Sequence, residues 1–402
     1  MTQCCLGDNL RPSGCSGKNA AHENSPSKWF SGMIQHCLDY AVDANQNGVP
    51  IVGIMCEYTP RELIIAAGAI PVCLCGGSLA TIGTAEKDLP TNLCPLIKST
   101  YGYHAQKNNP FLEMASLIVA ETTCDGKKKM YELMAQNRPV YILELPQKPD
   151  DADAMKHWVA ELKKFKVFLE KRFSVKITGQ KIREAIELMN NERRLRRRLA
   201  ESMKSNCPPY TGRMLLDFKS VISGIDADLR KYEEQLELNR KSEPVCESGK
   251  KVRVLLTGVP MVHGAEKVMD IIEEHGGIVV CMDNCTGIKP IMDDVDISDS
   301  DPIAALAKKY FSLPCSVMTK NNRRIELLKT LISQYQPECI IDVVWQACLT
   351  YDVESYFIKK LCEDEFSMPY LKIGTDYSPS DSERIAVRVE ALFETVKTWR
   401  QK

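Results

Sequence analysis

The sequence predicts an α/β chain of two domains, each built on a parallel sheet, joined by a long helical segment. Three observations carry that reading. Short apolar runs rich in β-branched residues, such as IVGIM at Ile51–Met55 and CIIDVVW at Cys339–Trp345, have the length and composition of buried strands. Each is followed by a turn and then a helix-period stretch, the order that generates parallel βαβ units. The scheme strand–turn–helix–Gly–strand begins near residue 51 and again near residue 251, with a purely helical stretch between. A duplicated flavodoxin- or Rossmann-like unit accounts for this. The expected boundaries are residues 1–27 for an N-terminal arm, 28–150 and 249–402 for the α/β domains, and 151–248 for the helical segment.

Taken in order, the arm is polar and rich in Gly, Ser and Asn; it is expected to be mobile, with no role for Cys4, Cys5 or Cys15. A helix is expected over Trp29–Asn45, then a strand at Ile51–Met55 ending at Cys56. Thr59-Pro60-Arg61-Glu62 predicts a helix start, with Thr as N-cap, Pro at N1 and Glu closing a capping box. Gly68 stops that helix before a strand at Ile70–Leu74. Leu117–Ala120 is a strand with Cys124 just beyond it, Lys127–Gln136 a helix, and Pro139–Leu145 the closing strand. Met155–Phe173, Thr178–Lys204 and Met214–Lys241 have helical period. The one dense basic run, Arg193–Arg198, is expected to be a solvated helix face paired with Glu192 and Glu201. The second α/β unit opens with a strand at Val252–Thr257. A helix over Gly264–His275 follows, with Gly276 at C′, then a strand at Gly277–Met282. Pro369–Ile373, the loop TDYSPSD and a helix from Ser382 complete the chain.

At 402 residues the chain exceeds one ordinary core, and 44% hydrophobic with 26% charged residues describes a globular protein. A net charge of −1 gives no argument for nucleic acid or an anionic membrane as partner. The first residues lack a signal-peptide pattern and no apolar run reaches the roughly eighteen residues of a membrane span, so a cytoplasmic location is expected. Seventeen cysteines in such a chain do not read as a disulfide framework, and no CxxC pair occurs, which argues against zinc ribbons and dithiol redox motifs. Cys73, Cys281 and Cys339, inside apolar runs, read as small buried hydrophobes.

Six cysteines fall instead on predicted loops after or between strands: Cys56, Cys94, Cys124, Cys285, Cys315 and Cys348. Open α/β sheets place their chemistry on such loops, and two facing domains could bring both sets to one cleft. Spacing alone also fits several unconnected buried thiols. Flanking Gly, Pro and Asp residues favour turns over core positions. Lys98, Lys127, Lys128, Lys129, Lys289 and Lys320 recur nearby, and an anionic iron–sulfur core would favour such cations. His263, beside a predicted helix start facing the presumed cleft, is expected to be a surface or structural histidine, with contact to substrate as the alternative.

The stretches NLCPLIKSTYG, ETTCDGKKKMYE, DNCTG, QACLTYDVES and TDYSPSD resemble the 2-hydroxyacyl-CoA dehydratase superfamily, and more closely its double-cubane cluster protein branch. The resemblance spans roughly residues 28–395, with departures at Val259, His263 and Gly374. It implies a [4Fe–4S] cluster on Cys94, Cys124 and Cys348, as in the dehydratases. In the double-cubane branch Cys56, Cys285 and Cys315 would join them to hold an [8Fe–9S] cluster, and the presence of all six favours that branch. The activity implied is an anaerobic oxidoreductase acting on small unsaturated molecules. It would take low-potential electrons from a separate ATP-hydrolysing [4Fe–4S] activator and work as a homodimer. The chain has no GxxxxGK[ST] loop of its own. A 2-hydroxyacyl-CoA dehydratase subunit and a non-catalytic electron carrier are the alternatives.

Overall fold

The computed structural model describes residues 25–241 and 251–400. The arm expected over residues 1–27 therefore lies almost wholly outside the described residues. β1 (Ile51–Ile54), β2 (Ile70–Cys73), β3 (Ala115–Glu121) and β4 (Val140–Leu143) form a parallel sheet in the order β2-β1-β3-β4. β5 (Val252–Gly258), β6 (Gly277–Met282), β7 (Cys339–Trp345) and β8 (Tyr370–Thr375) repeat it as β6-β5-β7-β8. The predicted pair of parallel α/β units is therefore present. β1, β6 and β7 are buried along their whole length, which is why their sequences are continuous apolar runs. The chain reverses its winding between β1 and β3 and between β5 and β7, so a crevice opens at the carboxyl ends of those strands.

Two local expectations are corrected. The helix expected over Trp29–Asn45 breaks at Gly32 into Pro26–Ser31 and Met33–Gln46. The capping box does not form: the helix is Arg61–Ala66, with Pro60 at N-cap and no side-chain cap. Thr59 instead hydrogen-bonds Glu121, while Glu62 pairs with Arg193 and accepts from the Tyr310 hydroxyl at 2.7 Å. Burial decides this, because an ionised carboxylate away from water requires a charged partner more than a helix end requires a cap.

Glu62 also explains the basic run. The helix Gly179–Glu201 packs on Arg61–Ala66, so the basic run is solvated only in part: Arg194 and Arg198 are exposed, while Arg193, Arg196 and Arg197 are drawn inward. Arg193 is buried against Glu62, Asn190 at 2.8 Å and the Tyr310 hydroxyl at 3.1 Å. Arg197 and Arg194 reach Asp294 at 2.7 and 3.1 Å. Arg196 with Glu192, at 3.5 Å, follows the expected pairing, whereas Glu201 pairs with Lys204. The run fastens the two α/β units through the helical segment.

The units also touch directly. One apolar cluster includes Met55 and Val72 of the first with Val259, Met261 and Trp345 of the second. Tyr377, from the TDYSPSD loop, packs edge-on against Trp345 at 5.1 Å and donates to the Gly76 carbonyl at 3.1 Å. Beside it Gly77 meets Gly264 so closely that a Cβ on Gly77 would lie 2.3 Å from the His263 carbonyl oxygen. Gly264 itself has φ +92°, which glycine adopts without strain. Among the described residues no helix is long and apolar enough to cross a membrane.

Candidate metal centre

All six loop cysteines come together at the carboxyl ends of the two sheets. Cys56 follows β1 and Cys124 follows β3; Cys285 follows β6 and Cys348 follows β7. Cys94 and Cys315 lie in equivalent connections, between β2 and β3 and between β6 and β7. Two trios result. Cys94, Cys124 and Cys348 lie near enough for each charge to perturb the others, and the hydrogen bond between Cys94 and Cys348 lowers the Cys94 thiol while raising that of Cys348. Cys56, Cys285 and Cys315 form the second trio, joined to the first through the proximity of Cys124 and Cys315. Each trio draws on both halves of the chain.

The first trio has a common local design. Cys94, Cys124 and Cys348 are the N-cap residues of Pro95–Gln106, Asp125–Met134 and Leu349–Lys360. Three helix N-termini thus present first-turn N–H groups and positive dipole ends to three sulfurs, an arrangement that favours anions. Ala347, at φ +59°, makes the left-handed turn that delivers Cys348 to its cap, a strain of about 1 kcal/mol for a non-glycine residue.

The second trio is held by side-chain ties between loops. In DNCTG the Asn284 side-chain Oδ1 accepts from the Thr286 and Gly287 N–H groups at 3.1 Å, an Asx turn that sets Cys285, while its side-chain Nδ2 donates to the Val259 carbonyl. The Tyr58 hydroxyl donates to the Leu313 carbonyl at 2.8 Å, fastening the Cys56 loop to the Cys315 loop. Ser316 and Thr350 hydroxyls meet at 3.0 Å, fastening Cys315 to Cys348. Gln147 donates to the Thr122 and Thr123 carbonyls and so holds the Cys124 loop.

Charge is arranged to suit anionic sulfur. Burial pushes the Cys56 thiol well above its ordinary range and that of Cys285 up to about 11. Lys127 Nζ donates to the Met55 carbonyl at 2.6 Å; burial opposes its charge, but Tyr131, Cys56, Cys75 and Cys124 around it keep it protonated. Lys289, 3.2 Å from the Tyr351 hydroxyl, stands likewise beside Cys285 and Cys315. Of the lysines singled out in the sequence, these two serve the thiols. Lys98 pairs with Glu86 at 2.7 Å, Lys128 and Lys129 pair with Asp125 and Glu132 at the surface, and Lys320 is exposed.

A cavity of about 380 Å³ opens between the two units against the second trio. Cys56, Cys285, Lys127, Lys219, Glu57 and His263 supply its polar wall, with apolar groups such as Ile34, Met55, Leu96 and Phe111 making up most of the rest. Glu57 is buried, which alone would raise its pKa, yet Arg61 at 2.8 Å and Lys219 hold it well below the usual carboxylate range. His263 is not simply a surface or structural residue: Nδ1 faces Glu266 at 3.6 Å, and Nε2 is buried without a partner in the cavity wall. Glu121 lies at the end of β3 close to Cys56. Burial raises its carboxyl to about 7, and Oε2 has no partner.

Several of these residues escape a sequence reading. Lys219 arrives from the helical segment, and its Nζ reaches the Cys285 carbonyl at 2.6 Å. Cys75 lines the cavity, in the place after the second strand that Cys285 holds in the other half. Cys281 and Cys339 are core thiols as expected, but Cys73 is half-buried, lines the cavity, and lies 3.5 Å from the Arg61 guanidinium. Cys73 and Cys75 stand two residues apart at a strand end and so point to the same side, but nothing in the sequence marks that side as the cavity.

The six sulfurs are not spaced as ligands of one tetrahedral ion. No three of the six sulfurs lie within 4.8 Å of one another, whereas three thiolates on one tetrahedral zinc stand about 3.8 Å apart, given a Zn–S bond of about 2.3 Å.

The family model for the D-component of 2-hydroxyglutaryl-CoA dehydratase matches residues 56–396, a range that starts at Cys56 and contains all six cysteines. The chain belongs to this family. Its relatives include YjiM of Escherichia coli (strain K12), provisionally named a dehydratase subunit, at 39% identity over 91% of this chain and 96% of that protein. The (R)-phenyllactyl-CoA dehydratase beta subunit of Clostridium sporogenes is 24% identical over 91% of this chain and 97% of its own. One component of the benzoyl-CoA reductase of Thauera aromatica is 27% identical over a shorter stretch, 36% of this chain and 38% of that one. Named relatives of this chain are thus enzyme subunits of two chemistries, dehydration and reduction, and the resemblance read from the cysteine motifs is to the right superfamily.

Proposed function

We propose that this chain is the iron–sulfur component of a low-potential reductase of small unsaturated molecules, with Cys56, Cys94, Cys124, Cys285, Cys315 and Cys348 as ligands of a double-cubane [8Fe–9S] cluster. One observation carries the reading: two thiol trios, each drawn from both halves of the chain, lie side by side. The cluster would store electrons and offer an iron position to substrate. The chain's own groups divide the remaining work. The three helix N-termini and Lys127 and Lys289 offset the negative charge of the sulfurs. Lys219 and Glu57 orient the Cys285 and Cys56 loops. His263 Nε2 is placed to bind a polar end of substrate, and Glu121 Oε2 is placed to hold a proton close to Cys56. The mainly apolar wall excludes water from the cavity. Its volume suits a small molecule or an acyl group rather than a whole coenzyme A.

Electrons would come from a separate ATP-hydrolysing [4Fe–4S] activator, and the working unit would be a homodimer. The second reading is a [4Fe–4S] 2-hydroxyacyl-CoA dehydratase subunit. It is favoured by the helix-capped design confined to Cys94, Cys124 and Cys348 and by the dehydratase names among the relatives. Iron and sulfide analysis of anaerobically purified protein separates the two. About eight irons per chain support the double-cubane reading; a value near four overturns it in favour of the dehydratase-like trio. Zinc in place of iron removes both.

A further inference from the structure

A set of side chains of metal-ligating type lies behind the cavity wall, apart from the six cysteines. His36 and Cys37 on Met33–Gln46 and Asp228 on Asp226–Lys241 bring an imidazole nitrogen, a thiol and a carboxylate oxygen within 4.8 Å of one another. Cys37 and Asp228 are buried, and the His36 side chain is only 15% exposed. His36 Nε2 lies 3.0 Å from Asp228 Oδ1. Three polar atoms of the set are enclosed without a hydrogen bond, Asp228 Oδ2 and both ring nitrogens of His36, of which Nε2 has only the ion-pair approach to Asp228 Oδ1. An enclosed carboxylate oxygen without a donor costs about 1–3 kcal/mol or more, so the site is short of an electrophile.

Its surroundings hold the three groups in place. Trp29 Nε1 donates to Asp228 Oδ1 at 2.8 Å while its ring stacks on the His36 imidazole at 4.3 Å, and Ser220 Oγ meets Cys37 Sγ at 3.0 Å. Such contacts fix the orientation of metal ligands in known sites. The donors are one nitrogen, one soft sulfur and one hard oxygen, which suits zinc and its borderline neighbours better than magnesium or calcium. Thiolate and carboxylate together would neutralise a divalent ion.

We infer that His36, Cys37 and Asp228 form a mononuclear site for a zinc-class divalent ion, which fastens the cavity-lining helix Met33–Gln46 to the helix Asp226–Lys241. Ile34 and Leu38 of the first helix and Ser220 line the cavity, so the ion would hold one wall of it in place. Metal entry displaces one of the two ring protons of the imidazolium that pairs with Asp228 and the thiol proton of Cys37, both released to solvent; the other ring N–H stays, and no electron moves. The other grouping of comparable donors, Glu144, His157 and Glu161, is a weaker candidate: Lys164 already pairs with Glu161 at 2.6 Å, and Glu144 is largely exposed.

The test uses the anaerobically prepared protein with its iron centre intact. After removal of loosely held metal, one equivalent of cobalt(II) is added and thiolate-to-cobalt charge transfer is recorded, with zinc competition and elemental analysis alongside. About one non-iron ion per chain and a thiolate–cobalt band displaced by zinc are expected. Cys37→Ser and Asp228→Asn should weaken binding at least about 10-fold, the loss typical even of changes to groups that only support the ligands, while iron content stays constant. Absence of the band in the wild-type protein overturns the inference without recourse to any variant. So does a band that survives undiminished in Cys37→Ser, since the metal would then sit on other thiols.

Discussion

Arg324 offers the sharpest test of how the second α/β unit holds its two cysteine loops. Its guanidinium is fully buried, donates from Nε to Asp283 at 2.9 Å and from Nη2 to Thr257 at 2.9 Å, and pairs through Nη1 with Glu354. It also lies over the Tyr351 ring at 4.9 Å. Asp283 stands two residues before Cys285, and Glu354 lies on the helix that Cys348 caps, so one side chain joins both loops. Arg324→Met roughly keeps the volume and removes the charge. Asp283 is wholly enclosed and Glu354 nearly so, and breaking a buried pair from one side costs about 3–5 kcal/mol because the abandoned carboxylates cannot reach water. The hydrogen bond from the charged guanidinium to the Thr257 hydroxyl adds about 1.5–3 kcal/mol. The control is Lys128→Ala, which removes an ion pair at 2.7 Å whose aspartate, Asp125, is 95% exposed; its cost is below about 1 kcal/mol. Denaturant unfolding of both variants and the wild type measures the difference, with iron content read on the same samples. Adding Asp283→Asn to Arg324→Met should restore part of the loss, since the stranded charge is what destabilises. A loss below about 1 kcal/mol for Arg324→Met, or no larger than for Lys128→Ala, would refute the reasoning.

Three further outcomes are expected. Cys124→Ser and Cys348→Ser, from opposite halves of the chain, should alter the same spectroscopic signal and abolish reduction, whereas Cys4→Ser and Cys15→Ser should leave both intact; a wild-type spectrum in Cys348→Ser alone would assign the centre to one half. Gly77→Ala should lower stability by about 1–3 kcal/mol and weaken substrate binding, because its Cβ would meet the His263 carbonyl at 2.3 Å and push the cavity walls apart; calorimetric unfolding and KM unchanged from wild type would show that the contact yields freely. Burial, helped by the neighbouring Arg193, lowers the Lys309 ammonium to about 7 from its ordinary 10.5. The unfolded chain therefore binds the extra proton between those values, and stability rises with pH across that window, by up to about 5 kcal/mol. Lys309→Met should be more stable than wild type at pH 7, and the gap should close toward pH 10; a constant gap between the two unfolding curves would contradict the assignment.

The sequence by itself determined the strands, most helix spans, the duplication and the six loop cysteines, since each depends on neighbours along the chain. Apolar runs of strand length specify buried parallel strands, and β6 and β7 fall on Gly277–Met282 and Cys339–Trp345 as read. Gly276, at φ +90°, ends its helix for a reason that glycine alone supplies. Tertiary structure decided what the charged and polar residues do. Glu62 has the spacing of a capping box, yet burial gives it to Arg193, which comes from a helix 131 residues away. The same burial turns an apparently solvated basic run into a fastening between the two units. Lys127 and Lys128 are adjacent in sequence, but one faces the thiols and the other faces water, because the helical repeat sends neighbours to different faces. Lys219, Cys75 and His263 joined the cavity, and Glu121 came to lie close to Cys56, for the same physical reason. A polar group takes its partner from whatever burial encloses with it, and that enclosure exists only once the two sheets have closed on each other.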